Sequence, residues 1–276
     1  MSLTLKKQIS IVGSGWLGLP LGEFLKSKGY LIKNSTTSEN KIPLLTDKGF
    51  TPYIFSLGNL NDTSVIDDFL KGSEIVIIVV PPKRSVSDIE QAYLEKIAQI
   101  ADRIQHYQNV IFISSSSVYQ NTNDWITEET LVYPEKSSGK AILAAEQLLQ
   151  KKIAKKLSII RFAGLMGPNR HPGKFLANKK NLANGNAPIN MIHLDDCIAL
   201  ISAVIEQNCW GEIINGCADD HPTREHFYTL AAQSINLPPP TFIPNTNLVT
   251  YKLISNLKSK SLLNYHYIYA NPKNAL

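Results

Sequence analysis

The stretch Gln8-Ile9-Ser10-Ile11-Val12-Gly13-Ser14-Gly15-Trp16-Leu17-Gly18 decides how the rest of the chain is read. Its first half, QISIV, is a short apolar run of the kind that forms a buried strand. Its second half, GSGWLG, matches the spacing GxGxxG. The residues that follow, Leu17 to Lys28, carry helical periodicity and stop at Gly29. Strand, glycine-rich turn and helix, in that order, form the context in which this spacing carries chemical meaning. Gly13 permits a tight turn, Gly15 lets the backbone approach a pyrophosphate, and Gly18 allows helix and strand to pack closely. The helix N-terminus would face the anion. Residues 13–18, with Trp16 and Leu17 inside the turn, are therefore expected to bind a dinucleotide; a purely structural glycine-rich turn is the alternative.

Outward from this unit, short β-rich runs alternate with longer helical patterns. YLIKNST (30–36), the weaker TPYIFSL (51–57), EIVIIVV (74–80), NVIFIS (109–114), LSIIRF (157–162) and EIING (212–216) read as strands. Residues 63–71, 87–106, 137–151 and 193–206 read as helices, the first ended by Gly72. A further helix is expected over 224–234, capped by Thr223. Near-continuous apolar strands alternating with helices predict an α/β fold with a doubly wound parallel sheet covered on both faces. After Phe162 the chain becomes rich in Gly, Asn and Pro. The expected division is a dinucleotide-binding domain over 1–163, rejoined by 188–216. A smaller, C-terminal substrate-binding region is expected from 164–187 and 217–276.

Composition narrows the function classes. The 276 residues are 43% hydrophobic and 18% charged, with a net charge of +5 and no long basic run. Nucleic acid is not the expected partner, whereas an anionic small molecule suits the mild positive charge. The longest apolar run, Ile75 to Val80, is too short to cross a bilayer. Cys197, Cys209 and Cys217 lack CxxC spacing and are odd in number. Neither a disulfide framework nor a zinc site is expected, no other metal cluster is visible, and a reduced, cytoplasmic setting is the simple reading.

The end of the second strand bears on the cofactor. An acid there would bond the ribose hydroxyls of NAD. Here the residues are Asn34, Ser35, Thr36, Thr37 and Ser38, with no acid before Glu39. Thr36, Thr37 and Ser38 leave room for a 2′-phosphate, and Lys33 or Lys41 could face it. The reading leans to NADP over NAD. Val80, Pro81 and Pro82 end the fourth strand, where the prolines read as a strand terminator.

ISSSSVYQ (113–120) places Ser114 and Ser115 at the C-terminal edge of a buried strand, where ligands lie in open α/β sheets. The next helix opens with KSSGK, so Lys136 and Lys140 sit four apart at a helix N-terminus. That end disfavours cations, and two like charges at this spacing repel by roughly 0.2–0.5 kcal/mol. A lysine tolerated there suggests a ligand.

GSGWLG, SSSSVYQ, KSSGKAILAAE, IIRFAGLMGPNR, INMIHLDD and EIINGCADDHPT run in one order across nearly the whole chain. In that order they resemble an extended short-chain dehydrogenase/reductase of the NAD(P)-dependent epimerase/dehydratase branch. The resemblance implies a Rossmann domain and a catalytic set of Ser or Thr, Tyr and Lys, the last two spaced YxxxK. Lys140 matches the lysine and Ser115 the serine. The tyrosine position is Lys136, so the chain resembles an atypical subgroup lacking that phenol. An amine crowded by a second cation loses proton affinity, which would suit Lys136 to acid–base work; a solvated Lys136 without such chemistry is the alternative.

The same resemblance places Phe162, Ala163 and Gly164 at the nicotinamide end, has the backbone at Val80, Pro81 and Pro82 pass the cofactor, and offers Tyr119 and His193 as substrate residues. The Arg170 fork would suit a substrate phosphate or carboxylate, a surface arginine being the alternative, and Asp195 and Asp196 are expected to cap the helix after His193. Pairing through the helices over 87–106 and 137–151 would give a homodimer. Two functions follow as expectations. One is an oxidoreductase or epimerase-like enzyme acting on an anionic metabolite, with a nucleotide sugar among the candidates. The other is a non-catalytic NADP(H) sensor acting through a protein partner.

Overall fold

In a computed structural model of the protein, residues 7–58, 63–83, 88–244 and 250–276 are described. The chain opens with β1 (Gln8–Val12), α1 (Gly18–Ser27), β2 (Leu31–Thr36), α2 (Ile42–Asp47), β3 (Thr51–Ile54), α3 (Ser64–Leu70), β4 (Ile75–Ile78), α4 (Ile89–Ala101) and β5 (Asn109–Ser115). It continues through β6 (Trp125–Ile126), α5 (Ser137–Ile153), β7 (Leu157–Phe162), β8 (Gly164–Met166), α6 (Gly173–Leu176), β9 (Met191–His193) and α7 (Leu194–Glu206). It closes with β10 (Ile213–Gly216), α8 (Arg224–Gln233), β11 (Leu253–Ile254) and α9 (Leu257–Leu263).

Seven strands form one sheet in the order β10-β7-β5-β4-β1-β2-β3. The pairs β2–β3, β1–β2, β1–β4 and β4–β5 are all parallel. The expected doubly wound sheet is present. From β1 the chain winds outward to β3, then returns to lay β4 on the other side of β1. That reversal is the topological switch point, and ligands of open α/β sheets bind beyond it. Val12 and Ile78 are register partners there, so the turns after β1 and β4 emerge side by side.

Burial explains the strand sequences. β4 and β7 are buried along their whole lengths, and β1 from its second residue onward. Strands covered on both faces need unbroken apolar runs rather than alternation. Helix α1 buries Gly18, Leu21, Gly22 and Leu25, one stripe at the i, i+3, i+4, i+7 spacing. Each fully buried leucine contributes about 1.5–3 kcal/mol. The helix expected over 87–106 is shorter: it runs from Ile89 to Ala101, and Ser87 lies outside the described residues. Asp88 sets its start by accepting a hydrogen bond from the Gln91 N–H at 3.1 Å.

The chain divides into two compact units, at boundaries other than those expected. The first comprises 1–118, 134–160 and 204–213; the second comprises 119–133, 161–203 and 214–276. Residues 119–133 join the second unit because β6 pairs with β11, Trp125 opposite Leu253 and Ile126 opposite Ile254. Residues 188–203 also belong there: β9 pairs with β8, and Met191 packs with Met166 and Phe227. Two-residue strands carry too little periodicity to be seen in sequence.

Asp195 and Asp196 were expected to cap α7, but Asp196 does different work. Its buried carboxylate accepts from Tyr265 Oη at 2.7 Å, the Ile268 N–H at 2.7 Å and the Tyr269 N–H at 3.1 Å. It fastens residues 265–269 to α7. Thr223 does precede α8, but its side chain makes no capping hydrogen bond.

Candidate functional site

The turn after β1 has the geometry its glycines predict. Gly13 adopts φ +108°, a conformation that side chains with a Cβ rarely hold. A Cβ on Gly18 would lie 1.9 Å from the Gly13 carbonyl oxygen. Helix α1 therefore starts against the turn only because position 18 has no side chain. Gly15 is different: a Cβ there would meet nothing within 4 Å. It borders open space, the cradle that a side chain would fill and that a pyrophosphate requires.

This open space is a cavity of about 280 Å³ belonging wholly to the first unit. Gly13, Ser14 and Gly15 form its floor, with Ser35, Thr36, Thr37 and Lys41 from the β2 end. Val79, Val80 and Pro81, after β4, also line it; of the expected Val80, Pro81 and Pro82, Pro82 does not. The β2 end is built around the turn: Ser35 Oγ accepts from the Gly13 N–H at 2.9 Å, and Thr36 Oγ1 accepts from the Ser38 N–H at 3.1 Å. Lys41 Nζ donates to the Ser14 carbonyl at 3.0 Å. Glycine clearance, hydroxyl groups and an ammonium group fit a dinucleotide phosphate.

Lys33, the other lysine expected to face a 2′-phosphate, does not. Its ammonium donates to the carbonyls of Asp68 (2.7 Å) and Lys71 (2.9 Å), capping the C-terminal end of α3. Burial lowers its pKa, with Lys71 adding to the effect and Asp68 opposing it. Strand alternation explains the miss, because Lys33 and Thr36 point to opposite faces of β2.

Other parts of the wall escaped sequence reasoning. Phe55, Ser56, Leu57, Lys83, Tyr93 and Lys96 line the same cavity. Tyr93, buried on α4, donates its phenol to the Val80 carbonyl at 2.7 Å and so fixes the end of the β4 turn. Burial raises its pKa, and the Glu146 carboxylate adds to the effect. The only available signal was Lys83 directly after Val79-Val80-Pro81-Pro82. Lys96, on a mixed helical face, gave none.

The expected catalytic residues of the first unit are Ser115, Lys136 and Lys140. Among the described residues, none of these lines the cavity. Ser115 ends β5, half-buried, and its Oγ accepts from the Ser117 N–H at 3.1 Å. Lys136 occupies the N-cap position of α5 in extended conformation, and Lys140 lies one turn on; both are exposed. A Cβ on Gly139, between them, would lie 2.5 Å from the Ser117 carbonyl oxygen, so the helix sits tightly under that loop. Ser114 was expected at the cofactor, but its hydroxyl bonds the buried Glu146 carboxylate of α5.

The second unit holds the remaining candidates. Tyr119 was expected to meet substrate; instead it is 2% exposed, with its phenol inside a polar network. Arg161 donates to that phenol at 2.8 Å, and the phenol donates to Asn215 Oδ1 at 3.0 Å. The Asn215 N–H in turn donates to Glu128 Oε1 at 2.7 Å, and Lys252 Nζ donates to the Tyr119 carbonyl. Burial raises the Tyr119 pKa against the pull of Arg161, and burial also raises that of Glu128. Phe162 and Ala163, expected beside the nicotinamide, are buried: a Cβ on Gly216 would lie 2.5 Å from the Phe162 ring. Gly164 is exposed.

His193 is 8% exposed and packs against Tyr269, with ring centres 4.1 Å apart and planes inclined by 52°. Its Nδ1 accepts from the Asp195 N–H at 3.2 Å, and burial lowers its pKa against the nearby acids. Arg170 is exposed in a tight turn, where its Nε donates to the Leu165 carbonyl at 3.0 Å. Cys197 and Cys217 are buried as free thiols, and among the described residues no group of His, Cys, Asp and Glu is placed to hold a metal ion. No helix of the described residues is long and apolar enough to cross a membrane.

Comparison with known proteins agrees with the fold. The family model described as "NAD dependent epimerase/dehydratase family" matches residues 9–215. Protein YeeZ of Escherichia coli (strain K12) is 30% identical over 272 residues, covering 96% of this chain and 97% of its own. A functionally unknown conserved protein from Silicibacter pomeroyi DSS superposes with a TM-score of 0.76 at 21% identity, over 98% of this chain and 96% of that one. UDP-glucuronic acid 4-epimerase from Bacillus cereus, solved in complex with UDP-glucuronic acid and NAD, superposes with a TM-score of 0.78 at 19% identity, over 97% of each chain. At these identities the solved structures speak for the fold.

Proposed function

Because the chain belongs to the NAD dependent epimerase/dehydratase family, we propose that it binds a nicotinamide dinucleotide at the turn after β1. We further propose that it acts as an oxidoreductase or epimerase-like enzyme on an anionic metabolite of the nucleotide-sugar class. The observation that carries this reading is the cavity over Gly15, walled by the β2 end and the residues after β4. The absence of a carboxylate from its described lining favours NADP over NAD. The substrate class rests on kinship, since the Bacillus cereus relative holds UDP-glucuronic acid.

When bound, the dinucleotide supplies the hydride acceptor and donor. The chain's own residues then have the following roles in this reading. Ser115, at the C-terminal end of β5, polarises a substrate oxygen by donating its hydroxyl. Lys140 holds the nicotinamide ribose from the first turn of α5. Lys136 stands where the family's proton-transferring tyrosine would be; as an ammonium it gives the proton, and as a neutral amine it takes the proton in the reverse direction.

The test is substrate-dependent change in nicotinamide absorbance across a panel of nucleotide sugars and small carbonyl compounds. Turnover of at least one member is expected, and Lys136→Met should abolish it while dinucleotide binding persists. Undiminished turnover in Lys136→Met contradicts the assigned proton donor. Tight dinucleotide binding without turnover of any compound contradicts the enzyme and leaves the sensor.

A further inference from the structure

The second unit has a cavity of its own, about 490 Å³ in volume, within the range of ligand clefts of roughly 300–1,000 Å³. It shares no lining residue with the cavity over Gly15. The parallel pair β6–β11 builds it. With Ile126 opposite Ile254, the residues that follow the two strands, Thr127 and Ser255, are neighbours, and both line the cavity. The Ser255 N–H donates to the Ile126 carbonyl at 2.8 Å and fastens that end of the pair.

Part of the lining is apolar. Trp125, the first residue of β6, is 54% exposed, and Leu257, the first of α9, is 71% exposed. Single exposed apolar groups are ordinary on a surface, but two bordering one concavity mark a place that a ligand covers. The Trp125 indole packs edge to face with the His221 ring, centres 5.3 Å apart. His221 is itself anchored, because its Nδ1 lies 3.2 Å from the Ile189 carbonyl. A carbonyl only accepts, so Nδ1 carries the proton and Nε2 is left as an acceptor.

The rest of the lining is polar without net charge. Both Asp219 carboxylate oxygens accept from Lys260 Nζ at 3.1 Å, and Oδ1 also accepts from Asn256 Nδ2 at 2.6 Å. Asp219 and Lys260 are thus matched to each other, and neither an anion nor a cation finds an unmatched charge there. Ser255 Oγ accepts from the Leu257 N–H at 3.4 Å, which leaves its own proton to donate. Hydroxyl, carboxylate and ammonium groups lie beside an exposed indole.

We propose that this cavity is a saccharide site, separate from the dinucleotide site and independent of it. The C–H face of a neutral pyranose ring lies on the Trp125 indole, and its hydroxyl groups bond Asp219, Lys260, Thr127 and Ser255. An aromatic face is electron-rich and attracts the weakly positive C–H bonds of such a ring. Each sugar hydroxyl both donates and accepts, which a carboxylate–ammonium pair with two hydroxyl groups satisfies. A nucleobase also stacks on indole, but its few edge groups would leave most of this polar lining unmatched.

Saturation-transfer NMR on the full chain tests it. The probes are the methyl glycosides of glucose, galactose, mannose and N-acetylglucosamine, with methyl glucuronide, adenosine and UDP-glucose beside them. At least one neutral glycoside is expected to bind saturably, with a Kd on the order of 1 mM. Trp125→Ala should weaken it about tenfold or more, and Trp125→Phe by no more than about threefold. Thr127→Val, which keeps the shape, should weaken it about threefold; thermal melts confirm that each variant folds. Methyl glucuronide should bind no tighter than methyl glucoside, and saturating NADPH should leave the glycoside signal in place. UDP-glucose separates two sources of the sugar: binding tighter than methyl glucoside and lost in Trp125→Ala marks the sugar of a nucleotide sugar, and equal binding marks a free glycan. Binding of no neutral glycoside overturns the site, as does binding that survives Trp125→Ala unchanged. Tighter binding of the glucuronide makes it an anion site instead, adenosine binding without any glycoside makes it a nucleobase site, and displacement by NADPH puts the sugar in the other cavity; each of these overturns the proposal.

Discussion

The turn after β1 and the network around Tyr119 both gather polar groups at the ends of sheet strands, but they use them in opposite ways. At the turn, a Cβ at position 15 would meet only open space, and hydroxyl and ammonium groups border a cavity. Around Tyr119, the phenol, the Arg161 guanidinium and the Asn215 Oδ1 are shut in and bonded in a chain. A polar group facing a cavity can exchange water for a ligand. One already desolvated and paired is committed to the fold, and removing its partner leaves it stranded. Residue type alone does not separate the two cases: Tyr119 and Ser114 look like site residues in sequence, and both are spent on internal bonds.

The largest expected effect probes the closed region. Arg161→Met should cost about 3 kcal/mol of stability, because it breaks a buried, hydrogen-bonded charge network. The midpoint of urea unfolding measures this, and dinucleotide affinity of the folded variant should stay unchanged. An unaltered midpoint would show that the network carries no load.

The mirror experiment is Gly15→Val. Its side chain enters open space, so stability should change by no more than about 0.5 kcal/mol, while dinucleotide binding weakens by about 100-fold or more, roughly 2.7 kcal/mol. Retained binding would separate the cavity from the ligand.

A smaller effect is expected from acid. Burial holds the His193 imidazole neutral in the folded chain, its pKa below the usual value. Burial lowers His171 and His221 likewise. As pH falls through about 6.5, the unfolded chain takes up these protons first. The stabilisation from neutral burial is complete above that pH and declines below it. Melting temperature against pH should therefore drop on the acid side, and His193→Gln should flatten the slope. An unchanged slope would place the titration elsewhere.

The smallest effect concerns Thr223, whose side chain makes no capping bond. Thr223→Ala should cost less than the roughly 1 kcal/mol of a working cap, measured by the same unfolding curve. A full 1 kcal/mol loss would mean that its hydroxyl is used.

The sheet was legible because doubly covered strands demand unbroken apolar runs, as in Ile75–Ile78 and Leu157–Phe162. The glycine turn after β1 was legible because φ +108° at Gly13 and the missing Cβ of Gly18 are conditions that only glycine meets. The second unit was harder to read. Its β6–β11 pairing joins segments more than a hundred residues apart through strands two residues long, and nothing local announces it. The lysines show the same limit: position in the sequence proposed Lys33 and Lys41 alike, yet Lys33, on β2, caps α3, whereas Lys41, in the turn after β2, reaches Ser14. Lys96 was invisible because its place depends on a glycine 38 positions earlier in the chain.

The central claim is that the open cradle over Gly15 holds a nicotinamide dinucleotide. Titrating reduced nicotinamide dinucleotides into the full chain and following their fluorescence tests it most directly. The account predicts saturable binding at one site per chain, lost in Gly15→Val and retained in Arg161→Met. No saturable signal from either dinucleotide, or a signal that survives Gly15→Val unchanged, would contradict it.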